Sequence, residues 1–212
     1  LSTDKACAPI NLYGATKLTS DKLFVAANNY RGANKIKFSV VRYGNVMGSR
    51  GSLFPFFMKR SDEGTFPITD KRMTRFNITL NEGVDFVLLA LKKMLGGEIF
   101  VPKIPSYRVT DVAKAISLKA KIKIIGTRPG EKLHEEMISQ SDAPNAIELS
   151  KYFVIVPNSQ FNSLNKKKYL KINKQGKTCG DEFSYNSKNN KFYLSISDLK
   201  KLIKNNSKDF EL

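Results

Sequence analysis

The chain has little cysteine and histidine, and it has no long apolar run. Its 212 residues include two cysteines, Cys7 and Cys179, and one histidine, too few for a disulfide framework or a Cys/His zinc cluster. We therefore expect no metal site and a reducing, cytoplasmic environment. No stretch of about 18 apolar residues occurs and no charged-then-apolar leader is visible, so we expect neither a membrane span nor secretion.

Acidic residues are scarce relative to basic ones. The chain holds 36 Lys and Arg against 19 Asp and Glu, a net charge of +17, which raises nucleic acid or an anionic membrane as partners. Residues 151–212 carry 13 of these basic residues, all lysine, whereas nucleic-acid sites usually add arginine and stacking aromatics. The run Lys166–Lys168 lies in Asn/Ser/Lys-rich sequence typical of a solvated surface. We expect no nucleic-acid partner, although a basic cleft would also suit a phosphorylated small molecule.

The hydrophobic fraction of 41% is that of an ordinary globular protein with one domain or slightly more. Helices are predicted over 11–30, 52–61, 80–95 and 109–118, after the turn at 127–131, and near 192–204. Strands are predicted over 36–41, 66–68, 98–101, 122–125 and 152–156, and a short one near 192. This alternation indicates an α/β fold with a largely parallel sheet.

The strongest motif is Tyr13-Gly-Ala-Thr-Lys17, preceded by Ser2-Thr3-Asp4-Lys5. A spacing of four places Tyr13 and Lys17 one turn apart on one helix face. A lysine there can lower the pKa of a phenol and make it a usable base. A YxxxK alone is weak evidence, but Thr3, ten positions before Tyr13, completes a Ser/Thr–Tyr–Lys pattern. That pattern resembles the short-chain dehydrogenase/reductase superfamily.

Five segments in order extend the resemblance: STDKA, PINLYGATK, RYGNVMGSRGS, MTRF and RPGEKLHEE. Together they resemble the nucleotide-sugar 4,6-dehydratases that act on UDP-N-acetylglucosamine. Tyr13 favours the inverting type, which serves pseudaminic acid and surface-glycan biosynthesis, because the retaining type usually has methionine there. The resemblance implies a Rossmann-type doubly wound parallel sheet, of which this chain holds the back half, plus a smaller α/β substrate domain.

The resemblance also implies catalytic roles. NADP would accept the hydride, Tyr13 would take the hydroxyl proton, with Thr3 beside it, and Lys17 would bind the cofactor ribose. Asp4 would protonate the departing hydroxyl. Lys5 would remove the proton on carbon 5 and help to return it from the opposite face, which inverts that centre.

The binding residues follow from the same resemblance. The cofactor set comprises Tyr13, Lys17, Val46, Met47, Gly48, Ser49 and Arg50. The substrate set comprises Ser2, Asn45, Leu53, Lys71, Arg75, Arg128 and Glu131. Arg128 suits a diphosphate because guanidinium binds it with two prongs. His134 is expected to be structural, on the first turn of a helix.

The glycine-rich dinucleotide fingerprint of these enzymes is absent. We expect roughly 100 or more residues to precede Leu1, since each βαβ unit needs about 30, and we expect the fragment alone to be inactive. Residues 1–50, interleaved with segments such as 77–101, should form the rear of the NADP-binding domain. Residues 51–157 should mix Rossmann and substrate-binding segments. Residues 158–212 form a polar Lys/Asn-rich region, of which 158–191 show little interpretable signal.

Two other functions stay open. A nucleotide-sugar 4-epimerase shares the fold, cofactor and Tyr/Lys pair but has no need of Asp4 and Lys5 for dehydration. A basic nucleic-acid-binding module would show salt-dependent DNA binding. We expect UDP-N-acetylglucosamine as the substrate and a homo-oligomer as the assembly.

Overall fold

The chain passes several times between two structural units. The computed structural model describes residues 1–157 and 164–206. The first unit comprises Leu1–Tyr43, Gly83–Lys103 and Glu136–Asn186, and the second comprises Gly44–Glu82, Ile104–Glu135 and Ser187–Leu212. The predicted α/β class is confirmed.

The described residues form six α-helices and thirteen short strands. The helices are α1 Leu12–Ala26, α2 Leu53–Met58, α3 Leu80–Lys93, α4 Val109–Ile116, α5 Lys166–Ile172 and α6 Ile196–Asn205. The strands are β1 Ser2–Thr3, β2 Val40–Tyr43, β3 Asn45–Val46, β4 Thr65–Ile68, β5 Thr74–Ile78, β6 Ile99–Pro102, β7 Ser106–Arg108, β8 Lys121–Ile124, β9 Glu136–Ile138, β10 Ala146–Glu148, β11 Tyr152–Ile155, β12 Lys177–Thr178 and β13 Tyr185–Asn186.

A six-stranded sheet organises the first unit, in the order β1-β2-β6-β11-β10-β12. The strands β1, β2 and β6 are parallel, whereas β11, β10 and β12 add in antiparallel fashion. The β6 and β11 strands are buried along their whole length, as expected for central strands covered on both faces. The sheet is therefore mixed, and its parallel edge carries the residues that precede Asp4.

The strand predicted over 36–41 begins later, at Val40. The Asn28 side chain accepts a hydrogen bond from the Phe38 amide at 3.0 Å and donates to its carbonyl at 2.9 Å. These bonds take the place of a strand neighbour, so Phe38 lies outside the ladder. The ladder starts where the Val40 amide donates to the Glu98 carbonyl at 2.9 Å.

The second unit packs helices α2, α4 and α6 with two small sheets. One sheet has the order β3-β5-β7, and the other pairs β4 with β8 in parallel. Its core includes Phe54, Phe57, Phe66, Val112 and Leu199, all 2% exposed or less. The hydrophobic face of α6 packs against this core, and α6 confirms the helix predicted near 192–204. The short strand predicted near 192 is wrong, since Tyr193 makes only an isolated bridge to Ser106.

The helix predicted after the turn at 127–131 is wrong. Gly130 turns the chain with a φ of +75°, and the following residues are extended. The Thr74 amide donates to the Leu133 carbonyl at 3.0 Å, and His134 forms a parallel bridge with Thr74. Pairing alongside β5 thus overrides the helix preference of this charged segment.

The predicted helix over 80–95 is confirmed as α3, but its leucine-rich side lies at the surface. Val84, Leu88 and Leu91 are each at least half exposed, whereas Phe86 and Ala90 are buried. No helix within the described ranges is long and apolar enough to cross a membrane.

Candidate active site

Thr3, Asp4 and Lys5 form a hydrogen-bonded cluster at the end of β1. Strand β1 lies parallel to β2, with Thr3 opposite Tyr43, and the chain then enters a 3₁₀ turn over Asp4–Ala6. The Lys5 Nζ lies 2.9 Å from the Asp4 Oδ1, and the Thr3 hydroxyl donates to the same oxygen at 2.8 Å. Asp4 is fully buried, whereas about a third of the Lys5 side chain is exposed. The pair therefore joins a buried carboxylate to an amine that reaches the surface.

Two buried oxygens in this cluster have no hydrogen-bond partner among the described residues. They are the second carboxylate oxygen of Asp4, Oδ2, and the hydroxyl of Ser2. Buried polar atoms in folded proteins are nearly always paired. Both atoms are thus suited to bind a polar group of a ligand.

Helix α1 presents the Tyr13–Lys17 pair. Its first turn is capped by Asn11, whose side chain accepts a hydrogen bond from the Gly14 amide at 2.8 Å. Tyr13 is 54% exposed, and Lys17 is half-buried. The two side chains leave the helix one turn apart, as the spacing predicts.

Gly14 brings this helix close to the Asp4–Lys5 turn. A Cβ at Gly14 would lie 2.4 Å from the Lys5 carbonyl oxygen and 2.9 Å from the Pro9 Cβ. Because real Cβ atoms do not approach backbone so closely, only glycine permits the observed packing. Tyr13, the residue before Gly14, therefore lies beside the turn that carries Asp4 and Lys5.

A buried ion pair anchors the same helix to β2. The Arg42 guanidinium lies 3.0 Å from the Asp21 carboxylate, and the two residues are 2% and 1% exposed. Arg42 also donates to the Met137 carbonyl at 2.8 Å and contacts Asp142 at 3.5 Å. Since Ser2 is the strand partner of Arg42, this residue connects β1, β2 and α1.

The second unit contains a cavity of about 550 Å³. Five residues of the predicted substrate set line it: Asn45, Leu53, Arg75, Arg128 and Glu131. A volume of this size is typical of small-ligand sites. The structure thus brings these five residues together, whereas Ser2 lies in the first unit and Lys71 is not among the lining residues.

Arg75 and Glu131 are interconnected within the cavity wall. The Arg75 guanidinium lies 3.8 Å from the Glu131 carboxylate and donates to the Thr74 and Leu133 carbonyls at 2.8 and 3.1 Å. Glu131 also accepts from the Thr69 hydroxyl and from the Arg128 amide, both at 3.3 Å. Arg75 is only 13% exposed at its side chain, so it is a fixed positive charge rather than a solvated one.

The predicted cofactor segment begins at Val46, the last residue of β3, and continues as a turn to Arg50. The Met47 amide donates to the Ile78 carbonyl at 2.8 Å, and Met47 is part of the buried core. Gly48 has a φ of +81°, a conformation that favours glycine. Ser49 and Arg50 are exposed.

Lys71 lies in a tight turn and is exposed. Its neighbours Asp70 and Arg72 form an ion pair at 2.7 Å, and the Arg72 hydrogen bonds lower the pKa of Asp70 to about 2. The turn is thus ordered by its flanking charges.

Sequence reasoning missed further cavity-lining residues, among them Phe56, Arg60, Thr69 and Tyr107. The Arg60 guanidinium lies 4.7 Å from the centre of the Phe56 ring, a cation–π contact. Their spacing of four within the predicted 52–61 helix was a usable signal.

His134 lies in the extended segment, not on a helix. Its Nδ1 is 2.8 Å from the Thr74 hydroxyl, which in turn lies 2.7 Å from the Ser187 hydroxyl. Burial, followed by the charges of Lys188, Arg75 and Arg72, lowers the pKa of His134. The structure therefore favours a neutral imidazole in this network. Among the described residues, no group of three His, Cys, Asp or Glu is placed to hold a metal ion.

The chain is similar in sequence to a known protein family and to characterised enzymes. Residues 1–157 match the model of a family described as "Polysaccharide biosynthesis protein". The chain is 53% identical over 208 residues to a UDP-N-acetylglucosamine 4,6-dehydratase (inverting) from Campylobacter jejuni, which covers 96% of this chain and 62% of the relative. It is 36% identical over 209 residues to a UDP-glucose 4-epimerase from Rickettsia canadensis, covering 96% of this chain and 60% of the relative. The chain thus spans about three fifths of the length of these relatives.

Two solved structures are similar in fold. The X-ray structure of Pen from Bacillus thuringiensis has a TM-score of 0.81 and 33% identity, covering 97% of this chain and 61% of the other. The dTDP-glucose 4,6-dehydratase DesIV from Streptomyces venezuelae, solved with NAD and TYD bound, has a TM-score of 0.51 and 22% identity, covering 62% and 44%. The second likeness concerns the fold alone.

Proposed function

The chain belongs to the polysaccharide biosynthesis protein family, and we propose from that premise that it carries the acid–base residues of a nucleotide-sugar 4,6-dehydratase. The proposed reaction converts UDP-N-acetylglucosamine to a UDP-4-keto-6-deoxy-L-arabino-hexosamine with inversion at carbon 5. The product would feed pseudaminic acid or another surface glycan. The 53% identical relative from Campylobacter jejuni is a UDP-N-acetylglucosamine 4,6-dehydratase of the inverting type, which supports this proposal.

One observation carries the proposal: the Asp4–Lys5 ion pair lies against the first turn of the Tyr13 helix. Elimination of water needs carbon 4 to be a ketone first, because a ketone acidifies the proton on carbon 5. The enzyme therefore needs one base for the oxidation and a separate acid and base for the elimination. Gly14 holds these two sets of residues together.

The 2.9 Å contact between Lys5 Nζ and Asp4 Oδ1 fits the two elimination roles. Transfer of one proton along this contact gives a neutral amine and a neutral carboxylic acid. Lys5 then takes the proton from carbon 5, and Asp4 gives its proton to the hydroxyl leaving carbon 6. Protonation of carbon 5 from the opposite face, which Lys5 would help, inverts the centre.

The residues present fit the adenine dinucleotide that this reaction requires. Tyr13 is exposed and Lys17 lies one turn away, so the phenol and the amine can contact a bound nicotinamide ribose. Gly48, with its positive φ and no side chain, lets the backbone of the 46–50 turn approach the dinucleotide. When bound, the dinucleotide would supply hydride acceptance and return. We propose NADP; NAD is the dinucleotide bound in the DesIV structure.

The arginine-rich cavity supports the nucleotide-sugar part of the proposal. Arg75 and Arg128 provide the guanidinium groups that suit a diphosphate, and Glu131 can accept hydrogen bonds from ribose hydroxyls. We propose that Asn45 and Leu53 contact the sugar end and that Ser2 and Lys71 complete the substrate set. The substrate and the two free cysteines also lead us to propose a cytoplasmic location.

A 4-epimerase is the competing function, favoured by the 36% identical relative. An epimerase returns the hydride to carbon 4 and releases no water. An epimerase would therefore use Tyr13 and Lys17, but its reaction would not require the acid–base pair of Asp4 and Lys5.

The test is Lys5→Ala in an active protein. We define the chimera as this chain joined to the part of the Campylobacter relative that it does not cover. Lys5→Ala in the chimera should lower the rate of 4-keto-6-deoxy sugar formation by about 10² or more, the usual loss for a positioned base. Lys22→Ala, an exposed lysine on α1, should leave the rate unchanged.

A well-folded Lys5→Ala chimera with near-normal dehydration would contradict the assignment. Loss of thermal stability in Lys5→Ala without loss in Lys22→Ala would indicate a structural role instead. Circular dichroism on both variants separates these outcomes.

A further inference from the structure

A second cavity, which no part of the proposed reaction uses, lies in the first unit. Its volume is about 530 Å³, within the range of small-ligand sites. It lies where α3 ends, beside the loop before β11 and the residues that follow α5. The lining residues are Leu89, Lys93, Leu149, Ser150, Lys151, Tyr152, Ile172, Asn173, Lys174 and Gln175. We call it the lysine-rimmed cavity.

Its charged lining residues are all of one sign. Lys93, Lys151 and Lys174 are exposed, and no aspartate or glutamate belongs to the lining. None of the three ammonium groups has an ion pair or hydrogen bond with a described residue, in contrast to Lys103, which pairs with Glu148 at 2.7 Å. Three unpaired cations around one concave surface attract anions.

Part of the cavity wall is apolar, and Tyr152 in that wall is held by aromatic packing. Leu89, Leu149 and Ile172 supply aliphatic surface. Tyr152 is 8% exposed, and its ring centre lies 6.0 Å from that of Phe86 and 5.9 Å from that of Phe100. A ligand that only carried charge would leave this apolar surface uncovered, whereas an aromatic or aliphatic group would cover it.

Helix dipoles do not account for the three lysines. The carboxyl ends of α3 and α5 each carry roughly half a negative charge, which Lys93 and Lys174 can offset. Lys151 lies on the loop before β11 and adds a third positive charge, whereas the two helix ends together supply roughly one negative charge. The cavity therefore keeps an excess of positive charge after both dipoles are counted.

We propose that the lysine-rimmed cavity binds a small phosphorylated molecule with an apolar or aromatic body. The lysines would bind the phosphate, Ser150, Asn173 and Gln175 would offer hydrogen bonds, and the aliphatic wall would contact the body. The site is separate from Asp4, Lys5 and Tyr13 in its residues, so it stands whether or not the proposed dehydratase activity is correct.

Pyridoxal 5′-phosphate tests the site, since it joins a phosphate to an aromatic ring and marks nearby lysines. Its aldehyde carbon forms a C=N bond with a lysine amine, one water leaves, and borohydride then reduces the imine to a stable amine. Labelling of each lysine is measured by peptide mass spectrometry on the chimera, in buffer and in denaturant. In buffer, Lys93, Lys151 and Lys174 should exceed Lys35 and Lys114, two exposed lysines outside the cavity, by about tenfold.

Competing ligands and lysine substitutions show whether the cavity requires both a phosphate and an aromatic group. We expect 1-naphthyl phosphate to protect the three lysines at concentrations where inorganic phosphate and 1-naphthol do not. Lys151→Ala should reduce labelling of Lys93 and Lys174, and Lys35→Ala should not. Labelling in buffer that matches the pattern in denaturant would overturn the proposal. So would equal protection by inorganic phosphate, which would reduce the cavity to a diffuse cationic surface.

Discussion

Gly14 controls the distance between the Tyr13 helix and the Asp4–Lys5 turn. An added methyl group would lie 2.4 Å from the Lys5 carbonyl oxygen, so Gly14→Ala must shift either the helix or the turn. We expect a loss of about 1–3 kcal/mol of stability, as for other overpacked sites. Any displacement of Tyr13 from Lys5 should also lower dehydration in the chimera.

Gly83 provides the matched control. It lies in helix α3, and a Cβ there would meet nothing within 4 Å, so Gly83→Ala should raise stability by up to about 1 kcal/mol through helix propensity. Thermal unfolding of the two variants is the measurement. Similar shifts of the melting temperature in both variants would contradict the close packing at Gly14.

His134 makes stability depend on pH. Partial burial and the nearby cations lower its pKa in the folded state below the ordinary value of 6.5, so the unfolded chain binds the proton more readily. The contribution of His134 to the free energy of unfolding is fully present above about pH 6.5. It is lost as the pH falls through the lowered pKa of His134 in the folded state. Denaturant unfolding at several pH values should show that His134→Gln loses this part of the acid sensitivity. An unchanged pH profile in His134→Gln would contradict the assignment.

The site residues differ in how far sequence could predict them. The helix spacing predicts the proximity of Tyr13 and Lys17. Of the seven substrate residues that the family resemblance implies, five line one cavity: Asn45, Leu53, Arg75, Arg128 and Glu131. Their roles stay predictions. The ion pair between adjacent residues Asp4 and Lys5, and the close approach at Gly14, depend on tertiary packing that no local pattern encodes.

At the scale of elements, the Asp21–Arg42 pair joins α1 to β2 in the protein interior. Asp21→Asn removes the negative charge that balances the buried Arg42 guanidinium. Breaking such a buried ion pair typically lowers the free energy of unfolding by about 3–5 kcal/mol. Replacing both partners, with Asp21→Asn and Arg42→Met, should cost less than the sum of the single changes. Urea unfolding of the three variants measures the coupling, and strictly additive losses would contradict it.

Elements with strong local signals were predicted well, and those set by distant partners were not. Helices α1, α3, α4 and α6 show clear apolar spacing or capping residues and lie near their predicted bounds. The predicted start of β2 lies four residues before the observed one, because the Asn28 side chain forms hydrogen bonds with the Phe38 amide and carbonyl. The segment after Gly130 was predicted as a helix because pairing with Thr74 cannot be seen locally.

At the scale of the whole molecule, apolar surface is exposed on α1 and α3. Leu12, Leu23 and Phe24 of α1 are each more than half exposed, as are Leu80 and Leu91 of α3. Exposed apolar surface of this kind promotes association or aggregation, and the charge of +17 opposes it only in part. We therefore expect low solubility of the 212 residues alone. The homo-oligomer and the inactivity of this fragment also stay predictions, which light scattering and dinucleotide titration can test.

The central claim is that Asp4, Lys5 and Tyr13 belong to a dehydratase, and product analysis of the chimera tests it most directly. In deuterated buffer with UDP-N-acetylglucosamine and NADP, nuclear magnetic resonance should show a 4-keto-6-deoxy sugar with deuterium at carbon 5 and inverted configuration there. The amount of NADP should not change, since its hydride is returned in each cycle, and the 212-residue chain alone should form no product. Formation of the carbon 4 epimer without loss of water, or stoichiometric accumulation of NADPH, would contradict the account.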